Sequence, residues 1–151
     1  MGIKFNVNNK EYTLNINPNM TLLDLLRDEL DIVSVKKFCE EGECGVCTVL
    51  LNGQPVTSCL ILAAEIDGCD IKTVEGLNGE LVEKIKSKFI EMGSFQCGFC
   101  APGMLITILA LLRKSTYLNE EKIRQHLSGN LCRCSGYVSI LRAVKAVLDK
   151  G

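Results

Sequence analysis

Eight of the nine cysteines in this 151-residue chain fall into two sets whose spacing can do chemistry. The first is Cys39-x4-Cys44-x2-Cys47, followed after eleven residues by Cys59. The second is Cys97-x2-Cys100, followed after thirty-one residues by Cys132-x-Cys134. Thiolates are soft ligands, suited to zinc or to iron–sulfur clusters. Zinc more often takes paired C-x2-C knuckles, so a four-residue gap followed by a two-residue gap favours a 2Fe-2S cluster for the first set. In the second set spacing leaves zinc as a competitor. An anionic cluster needs backbone N–H groups wrapped around it, and that wrapping calls for positive φ. Gly42 and Gly45 supply it at no steric cost. Pro102 suits the first turn of a helix and Ser135 an N-cap. Each cysteine pair of the second set is therefore expected just before a helix N-terminus, where free N–H groups favour thiolates.

The elements that position these loops can be read from periodicity. Residues 3–7 and 12–16 alternate at period two around Asn8-Asn9 and predict a hairpin. Thr21 followed by Asp24 resembles a capping box, and Leu22, Leu25, Leu26 and Leu30 share a helical face. After the loop from Lys36 to Cys47, two strands flank the turn Asn52-Gly53. Residues 70–76 predict a short closing strand. From Gly76-Leu77-Asn78-Gly79 onward the pattern is helical, over 80–92, 102–114, 119–128 and 136–149, with Asn119 as a cap and Gly129-Asn130 as a stop. The fold class expected is α+β, with one domain at 1–76 and an all-α domain at 77–151.

The bulk numbers narrow the function classes. With 47% hydrophobic and 23% charged residues the composition is that of an ordinary globular protein. A net charge of −1 gives no electrostatic case for nucleic acid or an anionic membrane. The longest apolar run, residues 104–112, is too short to span a bilayer. The opening residues alternate like a strand and carry no signal-peptide pattern, and the myristoylation pattern fails at Asn6. A cytoplasmic location is expected, where clustered cysteines serve as metal ligands rather than disulfides.

The stretches KKFCEEGECGVCTVLLNGQPVTSC, QCGFCAPGM and LSGNLCRCSGYVSILRAV closely resemble the small iron–sulfur subunit of the molybdenum hydroxylases. This is the group of xanthine dehydrogenase, aldehyde oxidoreductase, nicotinate dehydrogenase and aerobic carbon monoxide dehydrogenase. The resemblance covers nearly the whole chain. It implies a β-grasp, plant-type ferredoxin-like domain followed by a four-helix-bundle domain, with two 2Fe-2S clusters. Cys39, Cys44, Cys47 and Cys59 match the ligands of the distal cluster. Cys97, Cys100, Cys132 and Cys134 match those of the proximal cluster. Gln96 matches a glutamine that hydrogen-bonds the molybdopterin of a partner subunit. Phe38 stands where the family has Gly, Val46 where it has Ala, and Ala101 where it has Thr. Phe38 and Val46 are expected to border the distal cluster and to alter its solvent access and potential.

Several other residues invite a bland reading. Cys69 lies outside both sets and reads as a small apolar filler or surface thiol. His126, the single histidine, sits on a charged helix, and one histidine is too few for a Rieske centre. Glu40, Glu41 and Glu43 read as a solvated face, and Met104 with the Leu/Ile run after it as core. The chain has no Gly-rich nucleotide fingerprint and no nucleophile–base pair, so no substrate chemistry is expected on it. The resemblance implies an electron-transfer subunit of a hetero-oligomer. Electrons would pass one at a time from a large molybdopterin-binding subunit, through the two clusters, to FAD on a medium subunit. A 151-residue chain with its own initial Met suggests a split-subunit enzyme. The alternatives are a free two-cluster ferredoxin-type carrier and a zinc-binding interaction module. The substrate is set by the partner and cannot be read from this chain.

Overall fold

The computed structural model describes residues 1–114 and 118–149. Five strands form one sheet: β1 (Gly2–Val7), β2 (Lys10–Asn15), β3 (Thr48–Leu51), β4 (Gln54–Thr57) and β5 (Asp70–Lys72). Their order is β2-β1-β5-β3-β4. β1 and β5 run parallel, while β1–β2, β3–β4 and β3–β5 are antiparallel. Both hairpins turn through two residues with positive φ, Asn8-Asn9 (52° and 68°) and Asn52-Gly53 (49° and 79°). That geometry matches the right-handed twist of the strands, which is why asparagine and glycine occupy these positions. The closing strand is shorter than the predicted 70–76. It ends at Lys72, and Val74–Gly76 coils into a 3-10 turn.

Between β2 and the first cysteine loop lies α1 (Leu22–Asp24), which widens into a π-helical turn over Leu25–Glu29. The predicted cap is in place. Thr21 Oγ1 accepts from the Asp24 N–H at 3.1 Å and donates to Asp24 Oδ2 at 2.7 Å. Leu22, Leu23, Leu25 and Leu26 are buried together with Ile3, Phe5, Val49, Ile66 and Ile71, and Cys47 and Cys59 belong to the same cluster. Each such aliphatic side chain contributes about 1.5–3 kcal/mol by leaving water.

Four helices follow: α2 (Glu80–Glu91), α3 (Ala101–Lys114), α4 (Glu120–Leu127) and α5 (Tyr137–Leu148). α2 packs on α5 and α3, and α4 on α3 and α5. Their apolar faces form a second cluster around Met104, Ile108, Leu109, Ile85, Ile140 and Val144. Asn119 caps α4 by accepting from the Lys122 N–H at 2.9 Å. The expected Ser135 cap of α5 is replaced by Gly136. Ser135 itself has φ +59°, so its backbone turns the chain into the helix instead of capping it.

α3 is the element that joins the halves, because it packs on β3 and β4 as well as on α2 and α4. Strand alternation explains how. Val49 faces the sheet-side cluster and Leu50, one residue on, faces the helical one. Lys114, at the end of α3, donates to Gln54 on β4.

Candidate metal centre

The loop from Lys36 to Cys47 runs along the seam between the two hydrophobic clusters. Cys44 belongs to the helical cluster and Cys47 to the sheet-side one. Its curvature rests on positive φ at Glu40 (57°), Gly42 (79°) and Gly45 (67°). The two glycines were anticipated. Glu40 was not, because nothing in its residue type announces a left-handed backbone. The curvature aims N–H groups inward: those of Glu41 and Cys44 donate to Cys39 Sγ at 3.5 and 3.4 Å. They hold the Cys39 thiol down to about 7. Burial works the other way on Cys59, pushing it up to about 11, with the neighbouring Cys47 thiol adding to the rise. Cys44 is also raised by burial, and it hydrogen-bonds Cys39. The first set is thus two thiol pairs, Cys39 with Cys44 and Cys47 with Cys59, close enough for Cys39 and Cys59 to feel each other's charge.

The second set has the same build. Cys97 pairs with Cys134, and Cys100 with Cys132. Gly98 turns the first arm with φ +78°, and the Phe99 N–H lowers the exposed Cys97 thiol. The Gly136 N–H donates to Cys132 Sγ at 3.3 Å. Cys100 immediately precedes α3, as expected, yet its thiol is pushed up to about 12 by burial, then by Cys132. Desolvation therefore outweighs the backbone hydrogen bond that favours the thiolate in the metal-free site. A bound cation reverses that balance, since a coordinating thiol is deprotonated outright.

All nine cysteines are free thiols. The donor chemistry fits a two-iron centre in each set: four thiols in two pairs, with backbone N–H groups aimed at sulfur. Among the described residues no three His, Cys, Asp or Glu side chains converge tightly enough to hold a single metal ion.

A cavity of about 990 Å³ opens between the sets, lined by Cys44, Cys97, Cys100 and Cys132 and rimmed by Phe38, Phe99, Leu131 and Tyr137. Phe38 is 72% exposed and meets Phe99 edge-on at 6.4 Å between ring centroids. Phe38 and Val46 thus face the second set as well as bordering the first. Behind the cavity the two loops are clamped. The Leu131 N–H donates to the Cys44 carbonyl at 2.9 Å, and buried Asn130 Nδ2 donates to the Gly45 carbonyl at 3.1 Å. The approach is so close that a Cβ on Gly103 would lie 2.4 Å from the Gly45 oxygen, and one on Gly45 only 2.2 Å from the Gly129 oxygen. Sequence reasoning read Asn130 only as part of a helix stop and missed its contact with the first loop, although a polar residue two positions before a cysteine pair was a usable signal.

The remaining candidates sit apart. Gln96 is exposed beside Cys97 and donates to the Cys134 carbonyl at 3.4 Å. Cys69 is half-buried just before β5, where Asn52 Nδ2 approaches its sulfur at 3.4 Å. His126 is exposed with Nδ1 3.0 Å from the Lys122 carbonyl. Glu40, Glu41 and Glu43 are exposed, and Glu40 pairs with Lys37 at 3.1 Å. Met104 is fully buried.

Residues 5–73 match the family of the 2Fe-2S iron-sulfur cluster binding domain, and residues 73–145 match the [2Fe-2S] binding domain. The chain is 44% identical to the nicotinate dehydrogenase small FeS subunit of Eubacterium barkeri, over 98% of this chain and 95% of that one. It is 40% identical to the xanthine dehydrogenase iron-sulfur-binding subunit of Escherichia coli O157:H7, over 94% and 91%. Its fold superimposes on a chain of quinoline 2-oxidoreductase from Pseudomonas putida 86 with a TM-score of 0.88 and 39% identity, covering 95% of this chain and 90% of that one. With two cluster-binding halves in this order and relatives matching end to end, the chain belongs to the family of small 2Fe-2S iron–sulfur subunits of the molybdenum hydroxylases, the non-catalytic electron-transfer component of these oxidoreductases.

Proposed function

We propose that this subunit holds two 2Fe-2S clusters and carries electrons one at a time from a molybdopterin centre on a large partner subunit to FAD on a medium one. The observation that carries the reading is the pair of four-thiol sets, each built of two thiol pairs and joined through a hydrogen-bonded clamp. Cys39, Cys44, Cys47 and Cys59 would ligate the distal cluster, and Cys97, Cys100, Cys132 and Cys134 the proximal one. Each iron would take one thiol pair. The clusters supply reversible one-electron storage.

The chain's own residues do the rest. The N–H groups of Glu41, Cys44 and Gly136 stabilise anionic sulfur. The hydrogen bond from the Leu131 N–H to the Cys44 carbonyl links a first-set ligand to the residue beside Cys132, giving a short connected path between the sets. Asn130 holds that path in register. Gln96, exposed next to exposed Cys97, is in position to leave the Cys134 carbonyl and hydrogen-bond a pterin presented by the partner.

A hetero-oligomer suits this surface better than a free carrier. Phe38, Phe99, Leu131 and Tyr137 leave a large apolar rim exposed around the cavity, beside a ligand thiol open to solvent. Such a patch marks a protein interface. The reading places the domain division at 76/77 and the protein in the cytoplasm. The two hydrophobic clusters support the division in outline, with Cys44, Val46 and Leu50 of the first half packed into the helical cluster. Among the described residues no helix is long and apolar enough to cross a membrane.

The test is affinity purification of the chain from its host, with metal and flavin analysis of what accompanies it. A larger chain bearing molybdenum and a second bearing FAD is the expected result. A coloured, stable protein that comes out alone would overturn the subunit reading in favour of a free carrier.

A further inference from the structure

We propose that Tyr137 sets the reduction potential of the second centre, pinning the Cys132 arm with its hydroxyl oxygen and offering its own proton as a donor into the cavity those cysteines line. The inference rests on the reading that Cys97, Cys100, Cys132 and Cys134 hold a 2Fe-2S cluster.

Tyr137 is the first residue of α5, five positions after Cys132. The Cys132 N–H donates to its hydroxyl oxygen at 2.7 Å. That contact removes one N–H from the group available to sulfur, while the Gly136 N–H remains directed at Cys132 Sγ at 3.3 Å. The 132–136 turn is thus tied at both ends, by the phenol to the Cys132 amide and by Gly136 to the Cys132 sulfur. A phenol both accepts and donates. Here the oxygen is engaged as an acceptor, and among the described residues no protein group accepts the phenolic proton. Tyr137 lines the same cavity as Cys97, Cys100 and Cys132. A phenol whose oxygen already receives an N–H bond is a polarised donor. A donor aimed at an anionic centre favours the more negative, reduced state and raises its potential.

The experiment is an anaerobic EPR-monitored redox titration of the full chain together with whatever subunits it brings. Wild-type protein is compared with Tyr137→Phe and with protein carrying 3,5-difluorotyrosine at position 137. The titration is run at a pH where the fluorinated phenol stays protonated. The first centre serves as the internal reference. Loss of the donor in Tyr137→Phe should lower the second centre's equilibrium constant for one-electron reduction roughly tenfold, about 59 mV. The fluorinated phenol is a stronger donor and a weaker acceptor, so the second potential should rise above wild type. A merely structural tie, lost in Tyr137→Phe and weakened by fluorination, would shift both variants in the same direction. An unchanged second potential in both proteins overturns the proposal, as does an equal shift of both centres. If Tyr137→Phe does not assemble the second centre, the fluorinated protein decides alone: a rise supports the proposal and no change overturns it. Wild-type protein without two signals would defeat the two-cluster reading, a different failure from either of these.

Discussion

Gly103→Ala is the sharpest single perturbation of the clamp between the two cysteine loops. The new Cβ would lie 2.4 Å from the Gly45 carbonyl oxygen, inside the 3.0 Å that real Cβ contacts respect, so the oxygen must retreat by at least 0.6 Å. That oxygen is not free to move. It accepts from Thr48 Oγ1 at 2.7 Å, from the Thr48 N–H at 3.2 Å and from Asn130 Nδ2 at 3.1 Å. Overpacking of this kind costs about 1–3 kcal/mol, and each strained hydrogen bond adds up to about 1 kcal/mol. Alanine offsets about 1 kcal/mol by its better helix propensity in the first turn of α3. The clash therefore wins by about 2 kcal/mol, a fall in Tm of about 4–8 °C for a chain of this size. Thermal unfolding of the variant beside Gly129→Ala, where a Cβ meets nothing within 4 Å, is the assay. An unchanged or higher Tm for Gly103→Ala would refute the clamp as the tight junction of the two halves.

Other outcomes follow from the same geometry. Cys100→Ser should abolish the second EPR signal and retain the first, because the sets are held by separate thiols. Simultaneous loss of both would contradict that independence. In metal-free protein at pH 7, Cys39 near 7 is about half thiolate while Cys59 near 11 is about one part in ten thousand. Allowing for the lower intrinsic nucleophilicity of a low-pKa thiolate, iodoacetamide should modify Cys39 on the order of a hundredfold faster than Cys59. Cys100, near 12, should be slower still, and peptide mass spectrometry would read the order directly. The Lys37 ammonium beside Asp24, with help from Thr21, lowers the Asp24 carboxyl, and the contact ties the start of the cysteine loop to α1. A depressed carboxylate stabilises the fold above its ordinary 3.8 and loses that contribution as pH falls through the folded value. Denaturant melts at pH 5 and pH 3 should show the wild type losing more stability than Asp24→Asn. The difference should be under about 1 kcal/mol because Lys37 is well exposed. Equal losses would remove the pair from the account.

The elements that hold these loops were legible where local chemistry dominates. Asn8-Asn9 and Asn52-Gly53 announce two-residue hairpin turns because few other residues accept positive φ. Thr21 and Asn119 announce helix starts through their side-chain oxygens. Ser135 failed as a cap because its backbone sits at φ +59°, which moves the cap to Gly136 and the first helical residue to Tyr137. The strand over 70–76 was overextended because pairing partners, which are tertiary, run out after Lys72. The two cysteine sets were visible from spacing, and their pairing was not. Which thiol meets which depends on how α3 and the 129–131 turn close on Gly45. That approach is set by the absence of side chains at Gly45 and Gly103, a signal without periodicity. The cavity between the sets and the Tyr137 contact lie at the same junction and were hidden for the same reason.

The most direct measurement is iron and acid-labile sulfide per chain, taken with the low-temperature EPR spectrum of the dithionite-reduced, anaerobically purified protein. Two 2Fe-2S clusters per chain require about four irons, about four sulfides and two distinct signals. Zinc without sulfide, or about two irons with a single signal, would contradict the two-cluster reading.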